Sequence, residues 1–267
     1  MSEFIDQTFV SYDVTKMSRT GYVGDKVEDI LSLLYQKAGS LEKMKNGIIF
    51  FDEIDKLAAN LQYGSAEVST TGVQLDLLKF IEGENYRFNS LGHREYTYKE
   101  PQLDFDSTSL LVICGGAFDG IDKFIERRKK KYNFGFNEFA IKESSDSDSI
   151  STEDLIEYGL IKEFAARFQI LITLPEKSAD DLYDILVFSE DSVLKNYKEY
   201  FKIHDCELKF DDDSLKEIAK YAFKQKTGAR GLVKILEKVL PMYSVANKKI
   251  SEFILTKEIV INNLNIF

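Results

Sequence analysis

Asp52 and Glu53 are adjacent carboxylates that follow four apolar residues, in the run Ile-Ile-Phe-Phe-Asp-Glu-Ile-Asp-Lys from Ile48 to Lys56. The apolar four suit a buried strand, so its end would deliver both acids at one place. A nucleoside-triphosphate site needs that pair: one acid holds a water-coordinated Mg²⁺ and the next polarises the attacking water. The same residues would also suit a core strand that stops at an acidic turn.

The elements around the acids carry the reading further. Phe9–Tyr12, Ile48–Phe51, Leu110–Ile113 and Ile170–Leu174 are rich in β-branched and aromatic residues and are expected to be strands. Between the first two, Val27, Ile30, Leu31 and Leu34 fall at helical spacing within Asp25–Lys37. Val73, Leu77, Leu78 and Ile81 do the same within Gly72–Glu82. Strands alternating with helices point to an α/β domain built on a mostly parallel sheet. After Pro175 the pattern becomes helical, at Ala179–Tyr200, Asp212–Lys226 and Ala229–Val239, with a short strand at Glu207–Phe210 and a weak one at Glu258–Ile261. Pro241 disrupts the last helix. These changes put a domain boundary near residue 174, giving domains 1–174 and 175–267. Lys142–Asp154, acidic and serine-rich, reads as a mobile loop.

The 267 residues, 44% hydrophobic and 30% charged, have the composition of a soluble globular protein with material for one large or two modest domains. A net charge of −10 argues against nucleic acid or an anionic membrane as the main partner, although a local basic patch is compatible with it. No apolar run approaches the ~20 residues of a membrane span. The first residues lack a basic flank and a long apolar block, so nothing marks the chain for export. The two cysteines, Cys114 and Cys206, are far apart and neither has a CxxC partner, which argues against zinc and suits a reduced, cytoplasmic compartment.

Gly21-Tyr22-Val23-Gly24, between the first strand and the acidic one, resembles the pore loop of ClpX-type AAA+ unfoldases. Asp52-Glu53-Ile54-Asp55-Lys56 is similar to that family's Walker B motif. Gly72-Val73-Gln74 with Leu77-Leu78-Lys79-Phe80-Ile81-Glu82-Gly83 resembles its GVQxxLLKLIEG helix, and Ile113-Cys114-Gly115-Gly116-Ala117-Phe118 its ICGGAF strand end. Gly159-Leu160-Ile161-Lys162-Glu163-Phe164, leading to Arg167, resembles its arginine-finger segment. Thr227-Gly228-Ala229-Arg230-Gly231-Leu232 resembles its sensor-2 motif. The six motifs stand in family order, and the resemblance covers nearly the whole chain.

The resemblance implies a partial AAA+ large domain followed by a mostly helical small domain. The implied protein is a homo-hexameric ring that hydrolyses ATP with Mg²⁺ and threads unfolded or tagged polypeptides into the ClpP peptidase. Asp52 and Glu53 would then serve Mg²⁺ and water, and Arg230 the chain's own nucleotide. Arg167 would serve the neighbour's, and Gly21, Tyr22, Val23 and Gly24 the substrate. A guanidinium suits phosphate because it presents a planar fork of donors. An aromatic between glycines suits a pore loop through broad, sequence-tolerant contact. Phe134-Gly135-Phe136 resembles the tripeptide by which the family docks on ClpP, with phenylalanine where isoleucine is usual.

One family motif is not in the sequence. There is no GxxxxGK[ST] loop, which would lie ~30–40 residues before Gly21, and 20 residues precede Gly21. The resemblance implies that the strand leading into that loop, the helix after it and the family's N-terminal zinc module are missing with it. The expectation is a piece of a longer polypeptide, inactive alone. Alternatives are a short protein whose missing strand comes from a partner, a non-catalytic partner that binds the ring or peptidase, and an HslU-like unfoldase.

Overall fold

The computed structural model describes residues 7–17, 24–58, 67–91, 102–133, 149–189, 192–241 and 250–264. The chain divides into two compact units, Met1–Thr173 and Leu174–Phe267.

The first unit is built on a parallel sheet in the order β1 (Phe9–Asp13), β2 (Ile48–Asp52) and β5 (Leu111–Cys114). Register runs Phe9 to Ile48 through Asp13 to Asp52, and Ile48 to Leu111 through Phe51 to Cys114. Because side chains alternate across a strand, Val10, Tyr12, Ile49 and Phe51 share one face. They pack into a single core with Val27, Ile30, Leu31 and Leu34 of α1 (Val27–Ala38). Those four positions form the apolar stripe of an amphipathic helix. Asp29 accepts from the Lys26 N–H at 2.9 Å at its start, and Gly39 closes its end in a left-handed conformation. Parallel strands need long crossovers. The first holds α1 and the short α2 (Leu41–Met44). The second holds α3 (Glu67–Glu82) and an antiparallel pair, β3 (Asn85–Asn89) and β4 (Gln102–Asp106). After β5 come α4 (Asp122–Asn133), α5 (Thr152–Tyr158) and α6 (Lys162–Ala165).

The second unit is mostly helical: α7 (Ala179–Phe188), α8 (Val193–Ile203), α9 (Asp212–Lys224), α10 (Gly228–Val239) and α11 (Lys257–Leu264). Two short parallel strands accompany them, β6 (Glu207–Phe210) and β7 (Glu252–Leu255). Its own core gathers Leu182, Phe201, Ile218, Leu236 and Val260.

Four expectations are corrected. Ile170–Leu174 forms no strand: Leu171 packs on the core, but Ile170 and Ile172 stand about four-fifths exposed, at 79% and 75%. β-propensity cannot make a strand where no neighbouring strand supplies a ladder. Ala179–Tyr200 is two helices, because Ser192 starts a new one, accepting from the Leu194 N–H at 3.3 Å and donating to the Leu186 carbonyl at 2.6 Å. Glu258–Ile261 lies in helix α11, whose buried Val260 and Leu264 are one turn apart, and the strand precedes it at Glu252–Leu255. The serine-rich segment is ordered at its end: Ser151 caps α5 and Asp154 is buried. Residues 142–148 lie outside the described ones. The β3–β4 pair had no counterpart in the sequence reading.

Candidate nucleotide site

In a parallel sheet every strand delivers its carboxyl end to the same edge, which is where open α/β sheets take their ligands. Here that edge carries Asp13 from β1, Asp52 and Glu53 from β2, and Gly115-Gly116 after β5. Asp13 and Asp52 are register partners. The Asp13 Oδ1 accepts from the Thr15 hydroxyl at 2.6 Å and its N–H at 2.9 Å, and these bonds hold its carboxyl below the usual aspartate range. The Asp52 Oδ1 accepts from the Glu53 N–H at 2.9 Å.

Glu53 has φ of 59°, in the left-handed region that a non-glycine residue seldom occupies. The turn is enforced from both sides. The Ile54 N–H donates to the Gly115 carbonyl at 3.0 Å, and the Gly115 N–H to the Phe51 carbonyl at 2.8 Å. Gly115 lies against the Phe50 ring, which a Cβ there would approach to 2.6 Å. At Gly116 a Cβ would come within 2.6 Å of the Asp55 Oδ1. The two glycines let the end of β5 close on the acidic turn.

Asp55 is buried, and its Oδ2 meets the Lys56 Nζ at 3.0 Å, while among the described residues its Oδ1 has no hydrogen-bond partner. The hydrogen bond to Asp55 raises the Lys56 amine above the ordinary lysine range. Beyond the turn, Gln74 of α3 donates from Nε2 to the Leu57 carbonyl at 2.7 Å.

Arg167 follows α6, its N–H donating to the Phe164 carbonyl at 3.1 Å, and its half-exposed guanidinium pairs with Glu82 at the end of α3. The structure therefore joins Arg167 to Glu82 and brings neither Asp52 nor Glu53 to it as an ion-pair partner. Arg230 lies exposed in the first turn of α10, in the second unit. Its turn depends on two glycines: Gly228 takes φ of 58°, and at Gly231 a Cβ would collide with the Thr227 Oγ1 at 1.9 Å. Gly24 is described, followed by Asp25, which bridges to Met17 and accepts from the Tyr12 hydroxyl at 2.6 Å. Gly21, Tyr22, Val23, Phe134, Gly135 and Phe136 lie outside the described residues.

The family model for the AAA domain (Cdc48 subfamily) matches residues 1–171. The chain belongs to the AAA family. A second model, the C-terminal D2-small domain of ClpB protein, matches residues 179–262. Among curated relatives, the ATP-dependent Clp protease ATP-binding subunit ClpX of Treponema denticola is 38% identical over 266 residues, covering 96% of this chain and 64% of the relative. The proteins of that name from Borrelia duttonii and Borrelia recurrentis are each 37% identical over 263 residues, covering 95% of this chain and 61% of the relative. The chain thus spans a little over three-fifths of the length of these relatives.

Membership of the AAA family implies a nucleotide with Mg²⁺, and the donors at the sheet edge fit that ion. Among the described residues no three or more His, Cys, Asp or Glu side chains converge to hold a metal by themselves. Mg²⁺ does not require such a cage, since it keeps several waters and takes one or two carboxylates together with phosphate. Asp52 and Glu53 supply that much.

Sequence reasoning gave no role to Asp13, Asp55, Gln74 or Glu82. Asp13 had a local signal in Asp-x-Thr directly after a strand, the pattern of an Asx turn. Gln74 and Glu82 are engaged through contacts made by folding, and Asp55 is buried beside its neighbour Lys56.

Proposed function

We propose that the chain provides the Walker B, arginine-finger and sensor-2 parts of a ClpX-type ring ATPase that unfolds polypeptides. The observation that carries this reading is the Asp52–Glu53 pair at the carboxyl edge of a parallel sheet, with Glu53 held in a left-handed turn by the backbone of Gly115. The motif order and the names of the relatives support it. When bound, Mg-ATP would supply the phosphoryl group whose transfer to water drives the ring.

In this reading Asp52 would help hold Mg²⁺, and Glu53 would orient the attacking water and take its proton. Arg230 would serve the phosphates of its own chain's nucleotide and Arg167 those of the adjoining subunit's, each countering developing negative charge. Gly21, Tyr22, Val23 and Gly24 grip the translocating polypeptide, and Phe134, Gly135 and Phe136 dock on a ClpP-type peptidase. The protein works as a cytoplasmic hexamer. Residues 1–174 act as the large domain and 175–267 as the small one.

Glu53→Gln in the polypeptide that assembles as a ring tests this. Hydrolysis should fall by at least ~10²-fold while nucleotide affinity stays within about threefold. Unchanged hydrolysis would remove Glu53 from the chemistry, and lost binding would assign it to holding nucleotide.

A further inference from the structure

Gln74 is fully buried, and both ends of its amide are engaged. Nε2 donates to the Leu57 carbonyl at 2.7 Å, and Oε1 accepts from the Ile161 N–H at 2.8 Å. Leu57 closes the turn Ile54–Leu57 that begins at Glu53. Ile161 is the residue from which α6 starts, and α6 leads directly to Arg167. One side chain therefore connects two segments 104 residues apart, as 161 less 57 gives. The amide orientation is fixed by its partners, because the carbonyl needs a donor and the N–H an acceptor.

The same helix holds the arginine a second time. Eight residues beyond Gln74, about 12 Å at the α-helical rise, Glu82 pairs with the Arg167 guanidinium. That end of α3 is itself fastened. The Ser107 hydroxyl donates to the Phe80 carbonyl at 2.9 Å and accepts from the Glu84 N–H at 3.0 Å, and Gly83 turns left-handed against Thr108. Phe164 and Ala165 of α6 are fully buried, which anchors the segment between the two grips in the core.

We propose that α3 is a splint between two sites of action. Gln74 and Glu82 are positioning residues that make the pose of Arg167 follow the conformation of the Asp52–Glu53 turn. The state of a subunit's own nucleotide site is thereby passed to the arginine it extends toward its neighbour. The proposal rests on the ring-ATPase reading above. Glu82 and Arg167 are both partly exposed, so their pair adds little stability, and its effect is orientation.

The test uses the assembled ATPase and four variants: Arg167→Ala, Glu82→Gln, Gln74→Met and Gln74→Glu. Steady-state ATP hydrolysis gives kcat, KM and the Hill coefficient, and hydrogen exchange follows the Ile161 amide. Arg167→Ala should cut kcat by ~10³-fold or more. Glu82→Gln and Gln74→Met should lower kcat by about 5–20-fold, leave KM within about twofold and bring the Hill coefficient to about 1. At a pH high enough to ionise its buried carboxyl, Gln74→Glu keeps an acceptor for the Ile161 N–H and loses the donor to Leu57. It should preserve protection at Ile161 and still abolish cooperativity, which a merely structural role would not do. If Gln74→Met fails to fold, the partly exposed Glu82→Gln carries the test. Wild-type kcat and Hill coefficient in folded Glu82→Gln and Gln74→Glu, with Arg167→Ala impaired, would overturn the splint alone. Unimpaired Arg167→Ala would overturn the role of Arg167 in the ring-ATPase reading, and the splint with it.

Discussion

Arg128 of α4 clasps Asp154 of α5, its Nε donating to the Asp154 Oδ1 at 3.0 Å and to Oδ2 at 3.1 Å. Asp154 also accepts from the Ser151 N–H at 2.9 Å and hydroxyl at 2.8 Å, so one carboxylate both caps its helix and joins it to α4. The Asp154 side chain is 1% exposed and that of Arg128 is 16% exposed. Removing one partner of a buried pair leaves the other charge without its counter-ion. Arg128→Ala should lower unfolding stability by about 3–5 kcal/mol, read from denaturant midpoints at pH 7. A loss below about 1 kcal/mol would mean the pair behaves as a solvated one.

The same carboxylate makes stability depend on acid. Burial works against its charge, but the bonds from Arg128 and Ser151 outweigh burial and hold its carboxyl below the usual aspartate range. A depressed folded pKa gives stability that is fully present above the unfolded value of about 3.9 and is lost as pH falls through the folded one. Melting curves from pH 6 downward should therefore steepen in their loss below about pH 4, and Asp154→Asn should flatten that part of the profile. An unchanged slope in Asp154→Asn would assign the acid sensitivity to other carboxylates.

Cys114 ends β5, and burial pushes its thiol up to about 12. Cys206 is buried and also raised, first by burial and then by the charge of Glu252. The thiolate is the nucleophile, so at pH 8 Cys114 should alkylate on the order of 10³-fold more slowly than a free cysteine. Iodoacetamide labelling followed by peptide mass analysis reads this directly, with both thiols reacting freely in denaturant. Rapid native labelling of Cys114 would mean that β5 opens easily at its edge.

The parts legible in the sequence are those fixed by neighbours along the chain. The stripe Val27, Ile30, Leu31 and Leu34 announces α1, and Ile48–Phe51 with its two acids announces both a strand and the chemistry at its end. Asp52 and Glu53 are adjacent, so no fold was needed to bring them together. β3 and β4 were hidden because half of their residues are exposed and their pairing joins segments separated by 12 residues, 90 through 101. Ile170–Leu174 misled in the opposite direction, with the composition of a strand and no ladder. The break at Ser192 was a capping signal passed over in favour of an unbroken helical period. Gln74 looked like one letter of a motif, and its two bonds exist only once Leu57 and Ile161 have been folded against it.

Residues 168–178 carry no helix or strand and lie across the division between the units at Thr173 and Leu174. Ile170, Ile172 and Leu174 there are 79%, 75% and 83% exposed, which gives a protease that selects aliphatic side chains both sites and access. Cleavage requires a stretch of chain to leave local structure, and this segment has little to leave. Brief thermolysin digestion should therefore cut within 168–178, and intact mass should identify the two new ends. Each unit has its own buried core, so the carboxyl-terminal product should unfold cooperatively on its own. Resistance of this segment while α9 or α10 is cut would show that the exposed side chains are covered in solution. A carboxyl-terminal product that melts without a cooperative transition would show that the second core is not self-sufficient.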